Sequence, residues 1–402
     1  MKEAEKNMED KTIAALGAVD ICVADRLQDV GEYYFSKKLR EIDDLNKAGK
    51  KVINLGIGSP DLPPHPQVIN RLHEEALKPN THGYQNYKGS PVLRTAISQW
   101  YKKWYDVDLN VDTEILPLIG SKEGIMHICM TYINEGDVVL IPNPGYPTYR
   151  SAATIAGAEI IEYQLKEINY WFPDFDELEK TNLSRVKLMF VNYPHMPTGQ
   201  LPTKSFFERL VAFAKAHDIL LCHDNPYSFI LNGKPMSLLS VDGAKDVAIE
   251  LNSLSKSHNM AGWRIGILAG AKERIEEVLR FKSNMDSGMF LPLQLAAAEA
   301  LQLGQDWHDD LNRIYTTRRL KVYELLDLLD CTYDHKQAGM FVWASIPASF
   351  KDGYELSDKV LYQSNVFITP GGIFGSAGDK YIRVSLCTSV EKIDEAIVRI
   401  KN

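Results

Sequence analysis

The feature that most constrains this chain is a recurring alternation of short, continuous apolar runs with longer amphipathic stretches. Runs at Ile115–Ile119, Val138–Ile141, Glu159–Tyr163, Lys187–Val191, Ile219–Cys222, Val247–Asn252 and Ile265–Ala269 have the length of strands. Several are unbroken Val/Ile/Leu segments, as a sheet buried on both faces requires. The stretches between them read as helices. One opens with Ser205-Phe206-Phe207-Glu208, a capping-box pattern, and runs to about Lys215. Strand–helix alternation of this kind predicts an α/β domain around a mainly parallel seven-stranded sheet.

From about residue 300 the pattern changes. Asp306–Leu329 reads as one long helix, Met340–Ile346, Val366–Thr369 and Ile382–Leu386 as strands, and Val390–Ile400 as a last helix. The expectation is a large domain over 58–300 and a smaller α+β domain made of 1–57 and 301–402.

Composition removes several function classes. Of 402 residues, 45% are hydrophobic and 24% charged, which a disordered or fibrous chain does not show. A formal charge of −8 disfavours a general nucleic-acid binder. The five cysteines (Cys22, Cys129, Cys222, Cys331, Cys387) are scattered and never spaced C-x-x-C. That argues against structural zinc, an iron–sulfur cluster or a disulfide framework, and favours a reducing cytoplasm. No run reaches the roughly 18 apolar residues of a membrane span. The acidic N-terminus, MKEAEKNMEDKTIAALGAVD, does not read as a secretory signal.

In an open α/β sheet the ligand sits off the carboxyl ends of the strands, so the residues just after each strand carry the functional information. After Ile119 comes Gly120-Ser121-Lys122-Glu123-Gly124. After Val191 comes Asn192-Tyr193-Pro194-His195-Met196-Pro197-Thr198-Gly199. After Cys222 comes His223-Asp224-Asn225-Pro226-Tyr227. Ser253-Leu254-Ser255-Lys256 follows the next strand, ahead of Ala261-Gly262-Trp263-Arg264-Ile265-Gly266. Each alone is a common turn or cap. Four at successive strand ends, in one order, are not.

Ser-Leu-Ser-Lys-Ser-His-Asn-Met-Ala-Gly-Trp-Arg-Ile-Gly (253–266) resembles the lysine motif of the class I/II pyridoxal-phosphate aminotransferases of fold type I. So do Leu55-Gly56-Ile57-Gly58-Ser59-Pro60-Asp61, Tyr84 ahead of Gly89, Pro142-Asn143-Pro144-Gly145-Tyr146-Pro147, and Arg383 in Tyr-Ile-Arg-Val-Ser-Leu. The resemblance extends from about residue 25 to the C-terminus. It implies a ping-pong transfer of an amino group from an L-α-amino acid to a 2-oxo acid, with pyridoxal 5'-phosphate as cofactor and no metal.

By that resemblance Lys256 holds the cofactor aldehyde as an imine and later serves as general base. Asp224 takes the pyridine nitrogen, and Tyr227 donates to the phenolate oxygen. Gly120, Ser121, Lys122, Ser253, Ser255 and Arg264 form the phosphate cup, Tyr146 covers the ring face, and Arg383 with Gly58 receives the substrate carboxylate. Tyr84 reaches the phosphate of a neighbouring subunit, which implies a homodimer with shared active sites, small-molecule partners, and neither nucleic acid nor membrane.

Two departures stand out. Met196 occupies the place of the family's phenolate-binding Asn, and a thioether cannot donate. Tyr87 stands where the LL-diaminopimelate enzymes of the nearest branch carry a Glu for the distal ammonium, which marks diaminopimelate down. No second arginine is assignable to a side-chain carboxylate. The rival readings are a carbon–sulfur β-lyase or a decarboxylase on the same fold. A cofactor-sensing regulator is a further rival, for which the 25-odd residues ahead of the resemblance are expected to be too short to hold a DNA-binding domain.

Overall fold

The computed structural model describes residues 21–28 and 30–402. The residues before Ile21, which include the N-terminal charge pattern and the first part of the expected small domain, lie outside the described residues.

The strands among the described residues are β1 (Ile53–Asn54), β2 (Ile115–Leu118), β3 (Val138–Asn143), β4 (Glu159–Gln164), β5 (Val186–Val191), β6 (Leu220–Asp224), β7 (Ala248–Ser253), β8 (Gly266–Gly270), β9 (Thr332–Tyr333), β10 (Phe341–Ser345), β11 (Val366–Phe367), β12 (Thr369–Pro370) and β13 (Tyr381–Ser385). Seven form one sheet in the order β2-β8-β7-β6-β5-β3-β4. β8 runs antiparallel to both neighbours, and the other pairings are parallel. All seven expected strands are present, with ends within about two residues.

The continuous apolar runs have a direct explanation. Successive side chains in a strand point to opposite faces, and both faces of this sheet are covered. Val138 and Leu140 of β3 join one core cluster, while Val139 and Ile141 join another. The same split divides Leu221 from Cys222 in β6 and Ile267 from Leu268 in β8. Neither face can take a polar alternation.

A third cluster unites the two ends of the chain. Phe35, Ile53 and Leu55 pack with Leu311, Tyr315 and Val322 of the long helix Gln305–Leu328 and with residues of β10, β13 and the last helix, Val390–Lys401. β10 lies between β13 and β9, with β12 beyond β13, in a four-stranded antiparallel sheet. β1 pairs in parallel with β11.

Two local expectations are corrected. The helix expected to start at a Ser205 capping box is Lys204–Ala216, capped by Thr203, whose hydroxyl accepts from the Phe206 N–H at 3.1 Å. Thr203 follows Pro202 in an extended conformation that aims its hydroxyl at the first turn. Glu208 faces Lys204 at 3.5 Å instead of reaching back. The run Val366–Thr369 is two short strands, because β11 serves β1 while β12 serves β13. β1 and β9, two residues each, carry too little pattern to be read from sequence.

Candidate active site

The carboxyl ends of β5, β6 and β7 open onto a cavity of about 480 Å³, an ordinary size for a small-molecule site. It is lined by Gly58, Ser121, Lys122, Tyr146, Asp224, Tyr227, Ser253, Ser255, Lys256, Arg264 and Arg383. The structure thus brings together residues from nearly the whole chain. Gly120 sits behind the lining against Arg264. Tyr84 does not line it; its ring is 93% exposed.

Asp224 ends β6 at the floor. Its Oδ2 accepts from the Tyr149 hydroxyl at 2.8 Å, while its Oδ1 is buried with no hydrogen-bond partner. Burial pushes the carboxyl up to about 6, against the pull of the Tyr149 bond and the neighbouring His223. A buried acceptor left open in this way fits a ligand donor. The Tyr149 ring is itself fixed, stacked on Phe190 at 4.7 Å.

Lys256 lies on the single turn Leu254–Ser257 that follows β7, and its Nζ donates to the Gly58 carbonyl at 2.6 Å. Burial lowers its ammonium below the ordinary lysine value, with Arg383 and Arg264 pushing the same way and Asp224 opposing. The amine is therefore easier to hold neutral than a surface lysine.

At the opposite end, the helix Ser121–Tyr132 starts at Gly120, whose φ is +90°. A Cβ on Gly120 would lie 2.2 Å from Arg264 Nη2, so glycine is required both for backbone and for space. Arg264 donates to the Ala261 carbonyl at 2.8 Å. Ser253 donates to the Ser255 hydroxyl at 2.9 Å. Hydroxyls, a guanidinium, Lys122 and the first N–H groups of a twelve-residue helix make an anion-binding corner.

Arg383, in β13, is buried. Its Nη2 donates to the Gly56 carbonyl at 2.8 Å and its Nη1 meets the Met196 sulfur at 3.3 Å, while its Nε is buried without a partner. The guanidinium lies 3.8 Å from the Phe341 ring centroid and 4.6 Å from that of Phe374. Desolvation brings its pKa down to about 10. A buried cation with so few strong acceptors is chemically suited to a carboxylate ligand.

Sequence reading missed Tyr33, Phe35, Tyr149 and Asn192, all of which line the cavity. Asn192 Nδ2 donates to the Asp224 carbonyl at 2.5 Å and its Oδ1 accepts from the Met196 N–H at 2.8 Å, tying the ends of β5 and β6 together. Its place at the end of a predicted strand was the available signal. Tyr33 and Phe35 had none, because they approach from the distant N-terminal segment.

A family model described as aminotransferase class I and II matches residues 50–400. The LL-diaminopimelate aminotransferase of Dehalococcoides mccartyi strain CBDB1 is 40% identical over 377 residues, 93% of this chain and 97% of that protein. The enzyme of the same name from Aquifex aeolicus strain VF5 is 37% identical over 381 residues, 94% of this chain and 98% of that protein. Among solved structures, apo BacF from Bacillus subtilis matches with a TM-score of 0.91 at 37% identity, covering 95% of this chain and 98% of that one. These likenesses do not favour the lyase, decarboxylase or regulator readings.

Proposed function

We propose, from the premise that the chain belongs to the aminotransferase class I and II family and is an enzyme of amino-group transfer, that it works with pyridoxal 5'-phosphate and carries a donor amino acid's nitrogen to a 2-oxo acid in two half-reactions. The observation that carries this reading is the set of complementary groups in one cavity: the open Oδ1 of Asp224, the amine of Lys256, the anion-binding corner at Gly120–Lys122, and the buried Arg383. Each fits one part of that cofactor or of its substrate. When bound, the cofactor supplies an electron sink for the bond broken at the substrate's Cα.

The chain's own residues supply the rest. Asp224 Oδ1 accepts a ring N–H and favours its proton. Ser121, Ser253, Ser255 and Arg264, with Lys122, hold the phosphate, and Arg264 offers the planar fork suited to it. Tyr146 and Tyr227 line the cavity, where Tyr146 would cover the cofactor's ring and Tyr227 would donate its hydroxyl to the phenolate oxygen. Arg383 and the Gly58 backbone orient the substrate carboxylate, so that the Cα proton faces Lys256. The lowered ammonium of Lys256 lets its amine take that proton and return it elsewhere as general acid.

The second subunit belongs to the same proposal. Tyr84 is 93% exposed and so free to meet a second subunit, and a two-fold dimer would bring it to the partner's anion corner. The boundary between the two domains falls, on this reading, near residues 57 and 300. No helix among the described residues is long and apolar enough to cross a membrane. The five thiols are unpaired, in keeping with a reducing cytoplasm.

Borohydride treatment of the cofactor-loaded protein, followed by peptide mapping, tests the assignment. The cofactor's mass is expected on Lys256, and Lys256→Ala should lose both that label and turnover while retaining part of the cofactor through the phosphate contacts. A label on another lysine, or near-native transfer by the variant, refutes it.

A further inference from the structure

One wing of the cavity is not used by any group assigned above. The helix Tyr34–Lys47 presents Phe35 and, one turn on, Leu39 to the cavity, and Tyr33 and Ile57 line it too. The Tyr33 and Phe35 rings pack at 5.6 Å between centroids, and Phe35 lies 5.7 Å from the Arg383 guanidinium. The wing therefore adjoins the carboxylate receptor, where the side chain of a bound amino acid must go.

We propose that this apolar wing is the subsite for the substrate's side chain, and that the enzyme prefers donors whose side chains are uncharged and apolar or aromatic over acidic or diamino donors. This rests on the reading that Arg383 receives the α-carboxylate.

The charge inventory carries the argument. Among the described residues that line the cavity, Asp224 is the one carboxylate. One of its oxygens is taken by Tyr149 at 2.8 Å and the other lies buried at the floor. Among the described residues of one chain, no anion remains for a distal ammonium. The lining cations are Lys122, Lys256, Arg264 and Arg383. Lys256 and Arg383 have roles, and Arg264 belongs to the anion corner. Lys122 opens the same helix as Ser121, with its Nζ 5.0 Å from the Tyr33 ring centroid. With Lys122 given to the anion corner, no cation among the described residues of one chain remains for a second carboxylate. A distal charge pressed among Tyr33, Phe35 and Leu39 would lose water and gain no counter-charge, only a neutral hydroxyl such as that of Ser36, which is costly. An apolar side chain loses nothing polar there and is removed from water. Leu39, 44% exposed in the chain alone, gives it an apolar surface to cover.

The test compares kcat/KM for phenylalanine, leucine and methionine with that for glutamate, aspartate and LL-diaminopimelate, against a common 2-oxo acid. In parallel, calorimetry measures binding of two unreactive carboxylates, 3-phenylpropanoate and glutarate, to the loaded protein. The apolar donors are expected to lead by about tenfold or more, a usual span for side-chain discrimination in a pocket, and 3-phenylpropanoate to bind tighter than glutarate. Phe35→Ala should lower the phenylalanine-to-alanine ratio about tenfold, and Leu39→Lys should shift binding toward glutarate. Equal or better turnover of glutamate or LL-diaminopimelate, or substitutions that leave these ratios unmoved, overturns the inference. If no amino acid is transaminated, the proposed function fails, and the two calorimetric affinities still decide the character of the subsite.

Discussion

Asp224→Asn in the cofactor-free protein probes the floor of the site through stability alone. Burial raises the Asp224 carboxyl from 3.8 to about 6. In the unfolded chain it titrates near its ordinary value. Between those two values the folded state keeps a proton that the unfolded state has released, so stability falls as pH rises through that window. Above it the whole penalty stands. A gap of about two pH units, at 1.36 kcal/mol each, is worth ~3 kcal/mol. An amide does not titrate. It keeps an acceptor for Tyr149 but leaves its NH₂ unpartnered where Oδ1 stood, at a cost that does not depend on pH. The advantage of Asp224→Asn over the native protein should therefore grow by ~3 kcal/mol from below pH 4 to above pH 7. For a chain of 402 residues that is roughly 3–4 °C in melting temperature. The assay is thermal melting of both proteins across that range at one protomer concentration, since association also moves the midpoint. Adding pyridoxal phosphate should reverse the order, because a ring N–H against Oδ1 stabilises the carboxylate and not the amide. A difference that stays flat with pH would refute the reasoning.

Two further predictions concern the anion corner and the dimer. Gly120→Ala sets a Cβ at a φ of +90° against Arg264 Nη2, which must shift out of the anion corner; cofactor affinity, measured by equilibrium dialysis, should fall by about five- to thirtyfold if the loss is worth 1–2 kcal/mol. Lys256→Ala mixed with Tyr84→Ala, each inactive alone, should regain activity in up to about a quarter of sites, since a two-fold heterodimer pairs one intact Lys256 with one intact Tyr84; a confirmed heterodimer without activity argues against shared sites.

The sheet was legible in the sequence because most of its strands are apolar runs buried on both faces, while β4, half-exposed with Glu159 and Glu162, and β7, with Glu250 in its middle, were read from their Ile and Leu residues. The strand-end residues were legible for a related reason: strand ends and the turns after them carry residue types that do not suit a core, such as Asp224 and Lys256. What stayed hidden depends on contacts between distant segments. Tyr149 and Asp224 are 75 positions apart and lie on different elements, and nothing local marks either as the other's partner. Phe35 reads as an ordinary apolar residue of an amphipathic helix. Only the return of the N-terminal segment onto the C-terminal cluster turns it toward the cavity. The short strands β1 and β9 escaped for want of length, and the Thr203 cap because a nearby Ser-x-x-Glu pattern competed with it.

Met196 shows how the two levels of reading combine. From sequence it is a lost donor, since a thioether cannot give a proton to the cofactor's phenolate oxygen. The structure adds that its sulfur is a partner of Arg383, 3.3 Å from Nη1. Sulfur is a weak acceptor, and the Arg383 Nε has none. Among the described residues the one strong acceptor for this buried cation is the Gly56 carbonyl, at 2.8 Å. The guanidinium is thus left short of hydrogen bonds, a deficit that a substrate carboxylate would make good on the proposed reading. Met196→Asn would put an amide oxygen within reach of Nη1. A hydrogen bond from a charged donor is worth about 1.5–3 kcal/mol net. If the amide satisfies Nη1 in the free protein and the substrate must displace even 1 kcal/mol of that, carboxylate binding weakens about fivefold. Calorimetry with 3-phenylpropanoate reads this directly, apart from any effect on turnover. Unchanged or tighter binding in Met196→Asn would mean that Nη1 is not the hand that meets the substrate, and that the methionine serves only to fill space between β5 and β13.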